Sequence, residues 1–246
     1  MQPTEIMRAT AQLGDIGWAF YFTPETGAYA QEQFGIDGFR FYFVGRGGVL
    51  GDVDADVVRS AFGYFEPGVI RKMWATGVER AAPHSPRDVA RGFIHCGHEF
   101  GRTKFAGLPG LEAFVDAAAQ VIGAVEGPGL ALFAGVRAEP VPDDAPAAAM
   151  HQAMVLREMR GSAHLLAVVA SGLSTTTAHA VKRPDDLALF GYEPDNPPPV
   201  TDADREKWAR AEALTDEILA PAYATLSDAQ AEALITGTNT LAQALA

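Results

Sequence analysis

Apolar positions along the chain recur mostly at helical spacing, and glycine or proline interrupts them at short intervals. Thr4 to Trp18 reads as a first helix. Thr23-Pro24-Glu25 offers a hydroxyl N-cap, a proline suited to the first helical position and a first-turn carboxylate, and opens a helix to about Phe34. Asp54 caps a helix over about Ala55 to Tyr64, and Glu66-Pro67 starts another that ends near Gly77. Ser85-Pro86 with Asp88 resembles a capping box and begins a helix to about Lys104. Leu111 to Val125 is a further apolar helix, halted by Gly127-Pro128-Gly129.

Two segments read differently. In Phe39 to Val44 aromatics alternate with Arg40 and Tyr42, which by period alone predicts a strand, with a short helical turn as the rival. Leu130 to Pro146 is rich in proline and alanine and reads as an irregular connector. Ala147 to Ser171 is then apolar nearly all round, the mark of a buried central helix. Ser174 to Lys182 reads as a short helix and Gly191 to Pro199 as a proline-rich loop. Thr201 and Ser227 cap two last helices, to about Leu219 and Ala244. The sum is a mainly α chain, a helical bundle with at most a small β-hairpin. It divides into an aromatic-rich part, residues 1–128, and a part with the central helix and acidic C-terminal helices, residues 129–246, which could form one integrated domain.

Charge changes the picture next. The 246 residues carry 19 basic and 31 acidic side chains, a net charge of −12. Residues 111–246 hold 8 basic and 19 acidic of these, so the negative charge lies almost wholly in the C-terminal half. A surface of that sign repels phosphate backbones and anionic membranes, which makes nucleic acid an unlikely partner. Cys96 is the only cysteine, which excludes an intrachain disulfide and suits a reducing cytoplasm. Met1 to Gln12 lacks the pattern of a secretory signal. The longest apolar stretch, Ala163 to Gly172, is far short of the roughly 20 residues that span a bilayer. A soluble cytoplasmic protein is the expectation, with a homodimer as one possible assembly.

Several catalytic signatures fail. Gly45-x-Gly47 begins a dinucleotide fingerprint, but Leu50 stands where the third glycine belongs. His98-Glu99 begins a zinc-protease helix, but Arg102 stands where the second histidine belongs.

Three constellations survive. Arg157, Arg160 and His164 share one face of the central helix, with Glu158 beside them. Two buried guanidinium groups need an anion, either protein carboxylates or the carboxylate or phosphate of a ligand. The second is the aromatic set of Trp18, Phe20, Tyr21 and Phe22, Phe39 to Phe43, Phe62, Tyr64, Phe65 and Trp74, with Arg46 on the adjoining glycine-rich loop. A dense core is the plain reading; a flat-walled ligand pocket is the sharper one. The third is His95, His98 and Glu99, a candidate metal set that is one ligand short without a partner from elsewhere.

Tyr21 to Glu25, Tyr42 to Gly51, Ala61-Phe62 with Phe65-Glu66-Pro67, and Arg157-Glu158-Met159-Arg160-Gly161-Ser162-Ala163-His164 follow one another in a specific order. Phe190-Gly191-Tyr192 and Ala213 to Asp216 continue it. In this order they resemble a large actinobacterial helix-turn-helix family of unknown function. That family typically has His where this chain has Met159, and Asp-Gly where it has Ser162-Ala163. The resemblance implies an α-rich, winged-helix-like fold and brings no established activity.

Three functions follow as expectations. The first is a small-molecule-binding protein. Its pocket would hold a flat ligand with an acidic group, a tetrapyrrole or an aromatic or polyketide-like acid. Arg46, Arg157 and Arg160 would meet the acid, Trp18, Tyr21, Phe43, Phe62 and Phe65 would clamp the body, and His164 could act as a base. Whether it is an enzyme stays open. The second is a ligand-responsive regulator, for which Arg59 to Arg80 supplies a helix-turn-helix-like segment with Arg59, Arg71, Lys72 and Arg80 against Glu66 and Glu79. The third is a divalent-metal hydrolase built on His95, His98 and Glu99.

Overall fold

The computed structural model describes residues 1–193 and 197–246, and among these the regular structure is helical throughout. The elements are α1 (Pro3–Ala9), α2 (Leu13–Ile16), α3 (Pro24–Phe34), α4 (Gly38–Gly47), α5 (Ala55–Phe62), α6 (Pro67–Ala81), α7 (Pro86–Lys104), α8 (Leu111–Gly123), α9 (Ala131–Arg137), α10 (Ala145–Ala170), α11 (Thr175–Lys182), α12 (Asp202–Tyr223) and α13 (Asp228–Leu245). Residues 194–196 of the expected loop lie outside the described residues.

The sequence predicted a strand at Phe39 to Val44, and the structure has α4 there. The Asp37 carboxylate accepts from the Phe39 and Arg40 amides and starts the helix locally. Phe41, Tyr42, Phe43 and Val44 are all buried, so the segment is apolar almost all round and its short-range alternation is incidental. The predicted connector over 130–146 contains α9, which buries Leu132, Phe133 and Val136. The single helix expected over Thr4 to Trp18 is two short ones, α1 and α2. No hairpin occurs among the described residues.

The bundle is built around α10. Asp144 caps it by accepting from the Ala147 amide, and Pro146 sits in its first turn, where a missing amide proton costs nothing. Of its 26 residues, 17 are buried, so every face needs a neighbour, and α2, α7, α8, α9 and α12 supply them. The main core runs from Ile6 to Leu241 and so draws on both halves of the chain. A smaller cluster of Ala167, Val168, Leu173, Ala178 and Ala211 lies under α11 and α12, edged by Tyr64 and Trp208. No helix among the described residues is long and apolar enough to cross a membrane.

Helix α7 lies close on α10 because Gly101 faces it. A Cβ there would come within 2.6 Å of the Pro146 carbonyl oxygen and 2.8 Å of the Met150 Cβ. Gly101→Ala is expected to cost about 1–3 kcal/mol by overpacking. Gly161 on α10 has open space around its Cβ position. There the same change should stabilise by roughly 0.5–1 kcal/mol through helix propensity. Urea unfolding of the two variants should move in opposite directions; equal shifts would show that the contact at Gly101 does not set the helix spacing.

Candidate functional site

Helix α10 carries two polar hubs, six residues apart. The first is Glu158. Its side chain is 3% exposed and meets Arg46 of α4 through a two-pronged fork, Nε to Oε1 at 2.9 Å and a terminal nitrogen to Oε2 at 2.8 Å. Arg157 adds a third contact to Oε1, and the Tyr21 hydroxyl donates to the same oxygen at 3.4 Å. The Arg46 guanidinium lies 4.4 Å over the Phe62 ring and that of Arg157 5.1 Å over Tyr21, both within cation–π range. Burial alone would raise the Glu158 carboxyl; Arg46 and Arg157 outweigh it and hold it down at about 2. Burial pushes the Tyr21 hydroxyl well up.

The anion expected to meet Arg46 and Arg157 is therefore Glu158 itself. Phe43, Phe62 and Phe65 are buried against Tyr42 and one another and form core. Trp18 is 42% exposed and its indole donates to Asp15, outside that core. The space beside Glu158 is about 10 Å³. That is room for one water, against the roughly 300–1,000 Å³ of a ligand pocket. The flat-ligand slot read from the sequence is filled by the protein's own rings.

The second hub is His164. Thr215 of α12 donates its hydroxyl proton to the Ala211 carbonyl at 2.7 Å, so toward His164 Nδ1, at 2.9 Å, its oxygen can only accept. That places the imidazole proton on Nδ1 and leaves Nε2 as a bare acceptor. Among the described residues Nε2 is buried without a partner, and Glu212 Oε1 lies 3.9 Å away. The other oxygen of Glu212 holds Arg160 at 2.7 Å. Trp208 meets the imidazole edge-on at 4.9 Å, and the Tyr64 ring lies 6.5 Å away, nearly parallel. The Tyr64 hydroxyl is also buried without a partner. Burial lowers the His164 pKa, which Arg160 and Lys182 reinforce and Glu212 opposes. Arg160 is not buried with Arg157: its side chain is 46% exposed and points to Glu212. Sequence reading found Arg160 and His164 but not Trp208, Glu212 and Thr215. Their spacing of four and three residues on one helix face was the available signal.

The metal set does not converge. His98 Nε2 faces His151 Nδ1 at 3.0 Å, a pairing the sequence did not reveal. His95 Nδ1 is 3.9 Å from Glu99, which is engaged by Arg102 at 2.6 Å. Among the described residues no group of three or more His, Cys, Asp or Glu is placed to hold a metal. Burial pushes the Cys96 thiol up to about 12.

Beside α10, α5 and α6 form two packed helices joined by a four-residue turn, Gly63 to Glu66. Gly63 takes φ +77°, which ends α5 at no steric cost. Glu66 caps α6 by accepting from the Val69 amide at 2.9 Å. Ile70, Trp74, Gly77 and Ala81 turn inward, and Arg71, Lys72 and Arg80 stay exposed. The sequence pattern of the helix-turn-helix family matches residues 6–196.

The chain belongs to the helix-turn-helix family. No curated protein and no solved structure matches it. Within this helix-turn-helix protein, an open apolar groove of about 260 Å³ runs between α5, α9 and α10, walled by Val57, Ala61, Leu132, Leu165 and Val169.

Two measurements test these contacts. Glu158→Gln leaves two largely buried guanidinium groups undercompensated and should cost about 3–5 kcal/mol, whereas Arg160→Ala breaks an exposed pair and should cost at most about 1 kcal/mol. Equal costs in urea unfolding would mean that Glu158 does not organise the core. Burial, reinforced by His151 and Arg102, lowers His98 to about 3, and burial lowers His151 to about 4. Both are depressed below the ordinary 6.5, so the unfolded chain protonates first. Stability should be complete above about pH 6.5 and fall as the pH drops toward 4. The slope is about 1.4 kcal/mol per pH unit per proton, and His151→Gln should flatten it by about one proton. An unchanged acid profile would rule out the pair as its source.

Proposed function

We propose that the protein is a regulator that holds DNA through α5 and α6. The observation that carries this reading is the geometry of that helix pair. Helix α6 packs on α4 through Val44 and Arg40 at Gly77, and its Arg71, Lys72 and Arg80 stay exposed. Arg59, Arg71, Lys72 and Arg80 are exposed on the two helices, with Asp56 paired to Arg71 at 2.8 Å. The net charge of −12, which made nucleic acid an unlikely partner in the sequence reading, belongs largely to other elements. The main packing partners of the acidic helices α12 and α13 are α1, α2, α8, α10 and α11. Cations on a helix of this kind contact phosphate backbones and place its side chains in the major groove. A homodimer would present two such helices to one duplex.

The ligand-binding function expected from the sequence fits the same protein as its effector arm. The geometry favours the half-open hub at Arg160 and His164 for that arm over the closed one at Arg46 and Arg157.

A gel shift with genomic DNA fragments at about 50 mM salt tests the regulator. Retarded complexes should weaken steeply with salt, and the double variant Lys72→Ala, Arg80→Ala should lower the slope by about two. No retardation at that salt removes the reading.

A further inference from the structure

Among the described residues, four buried side-chain polar atoms have no hydrogen-bond partner: Tyr64 Oη, His164 Nε2, Ser171 Oγ and His179 Nε2. They are not scattered. Ser171 follows the end of α10, which carries His164, and His179 is on α11. Tyr64 is in the turn between α5 and α6, its ring 6.5 Å from that of His164 and 6.4 Å from that of His179. Glu158 on the same helix, by contrast, is met by four donor atoms. Folded proteins leave very few buried polar groups unpaired, so Tyr64 Oη and His164 Nε2, carried on neighbouring rings, point to a partner that the chain does not itself supply.

The missing partner has a definable chemistry. His164 Nε2 is a bare acceptor, because Nδ1 carries the proton to Thr215. Glu212 Oε1, 3.9 Å away, is a second acceptor, and no protein donor stands between them. The Tyr64 hydroxyl is free to donate. The charges around the site are Arg160, Lys182 and Glu212, one positive in excess, which disfavours a cationic ligand. A carboxylate would set its oxygens against two acceptors. What fits is a neutral group with two donors and one acceptor. The Glu212 side chain is 33% exposed and that of Arg160 46%, so this edge of the site faces solvent. Trp208, edge-on to the imidazole, offers an aromatic wall there.

We propose that Tyr64, His164, Glu212 and Trp208 together form a binding site for a small neutral molecule bearing a primary carboxamide. Its NH2 spans His164 Nε2 and Glu212 Oε1, and its carbonyl accepts from the Tyr64 hydroxyl. Tyr64 belongs to the turn that joins the two helices of the DNA-facing pair, so occupancy bears directly on the angle between them. The binding site stands on its own geometry. Only its coupling to α6 rests on the regulator reading.

Benzamide is a suitable probe, with benzoate and N,N-dimethylbenzamide as controls that respectively lose the donors and carry a charge, or lose the donors alone. In the full-length protein, titration with benzamide should shift the His164 Nε2 resonance in ¹⁵N NMR saturably and raise Tm. The controls should do neither. Tyr64→Phe removes one orphan hydroxyl and no protein contact, so it should fold as well as the parent while binding benzamide at least tenfold more weakly. Glu212→Gln should weaken it similarly. Equal binding of all three probes, or full binding by Tyr64→Phe, overturns the proposal. So does a crystal structure with saturating benzamide in which only a structural water joins His164 to Glu212. Specific benzamide binding with no DNA retardation would sink the regulator and leave the site standing.

Discussion

A carboxylate at the centre of a helical bundle must be compensated in place, and the compensation of Glu158 fixes much of what surrounds it. The fork from Arg46 ties α4 to α10, and Arg157 and Tyr21 close the remaining sides. Such a buried network is a poor source of net stability but a strong source of uniqueness: any register that separated Arg46 from Glu158 would strand charges in a low-dielectric interior. Helix α4 in turn positions α6, since Gly77 admits Val44 where any larger side chain would collide. The orientation of the exposed α6 face thus descends, through two contacts, from one buried ion pair.

The uneven spread of charge lets an acidic protein present Arg59, Lys72 and Arg80 on the exposed sides of α5 and α6. Net charge is a property of the whole chain, whereas a duplex meets one surface. The acidic side chains of α12 do structural work at its start, where Asp204 closes a capping box with Thr201 and meets the positive end of the helix. Met1 and Asp228 make a similar local pair at the start of α13. Carboxylates used in this way add to the total without standing beside α5 and α6.

Much of the fold was legible because its signals are local. Caps at Thr23, Ser85, Thr201 and Ser227 all hold, and the near-continuous apolar run of α10 announced its burial. Helix α4 was misread because a ten-residue element buried on most faces shows no helical stripe, and aromatic alternation mimics a strand. At the sites, sequence spacing put Arg157, Arg160 and His164 on one face, which is correct for the helix. It could not show that Glu158 turns to Arg46, 112 residues away, or that Arg160 turns outward to Glu212. Pairings at that separation are decided by how helices dock, and one sequence carries no record of docking. His98 and His151 make the same point: each looked isolated, and the approach of α7 to α10 puts them 3.0 Å apart.

The contrast between the two hubs of α10 is itself informative about where function resides. If both served stability alone, both would be completed by protein groups, since an unpaired buried acceptor costs about 1–3 kcal/mol and a single substitution could supply a donor. At Glu158 every oxygen is met and the neighbouring space is closed. At His164 a hydroxyl from α12 fixes the tautomer so that the free nitrogen is an acceptor, and among the described residues that nitrogen has no partner, with Glu212 Oε1, another acceptor, 3.9 Å away. An arrangement that fixes a tautomer and then leaves the lone pair unused holds a cost in the unliganded protein. In the proposed complex a donor from the ligand offsets that cost. Because Tyr64 carries one polar atom of the proposed site and also lies in the turn between α5 and α6, occupancy of that site would act on the packing of those two helices.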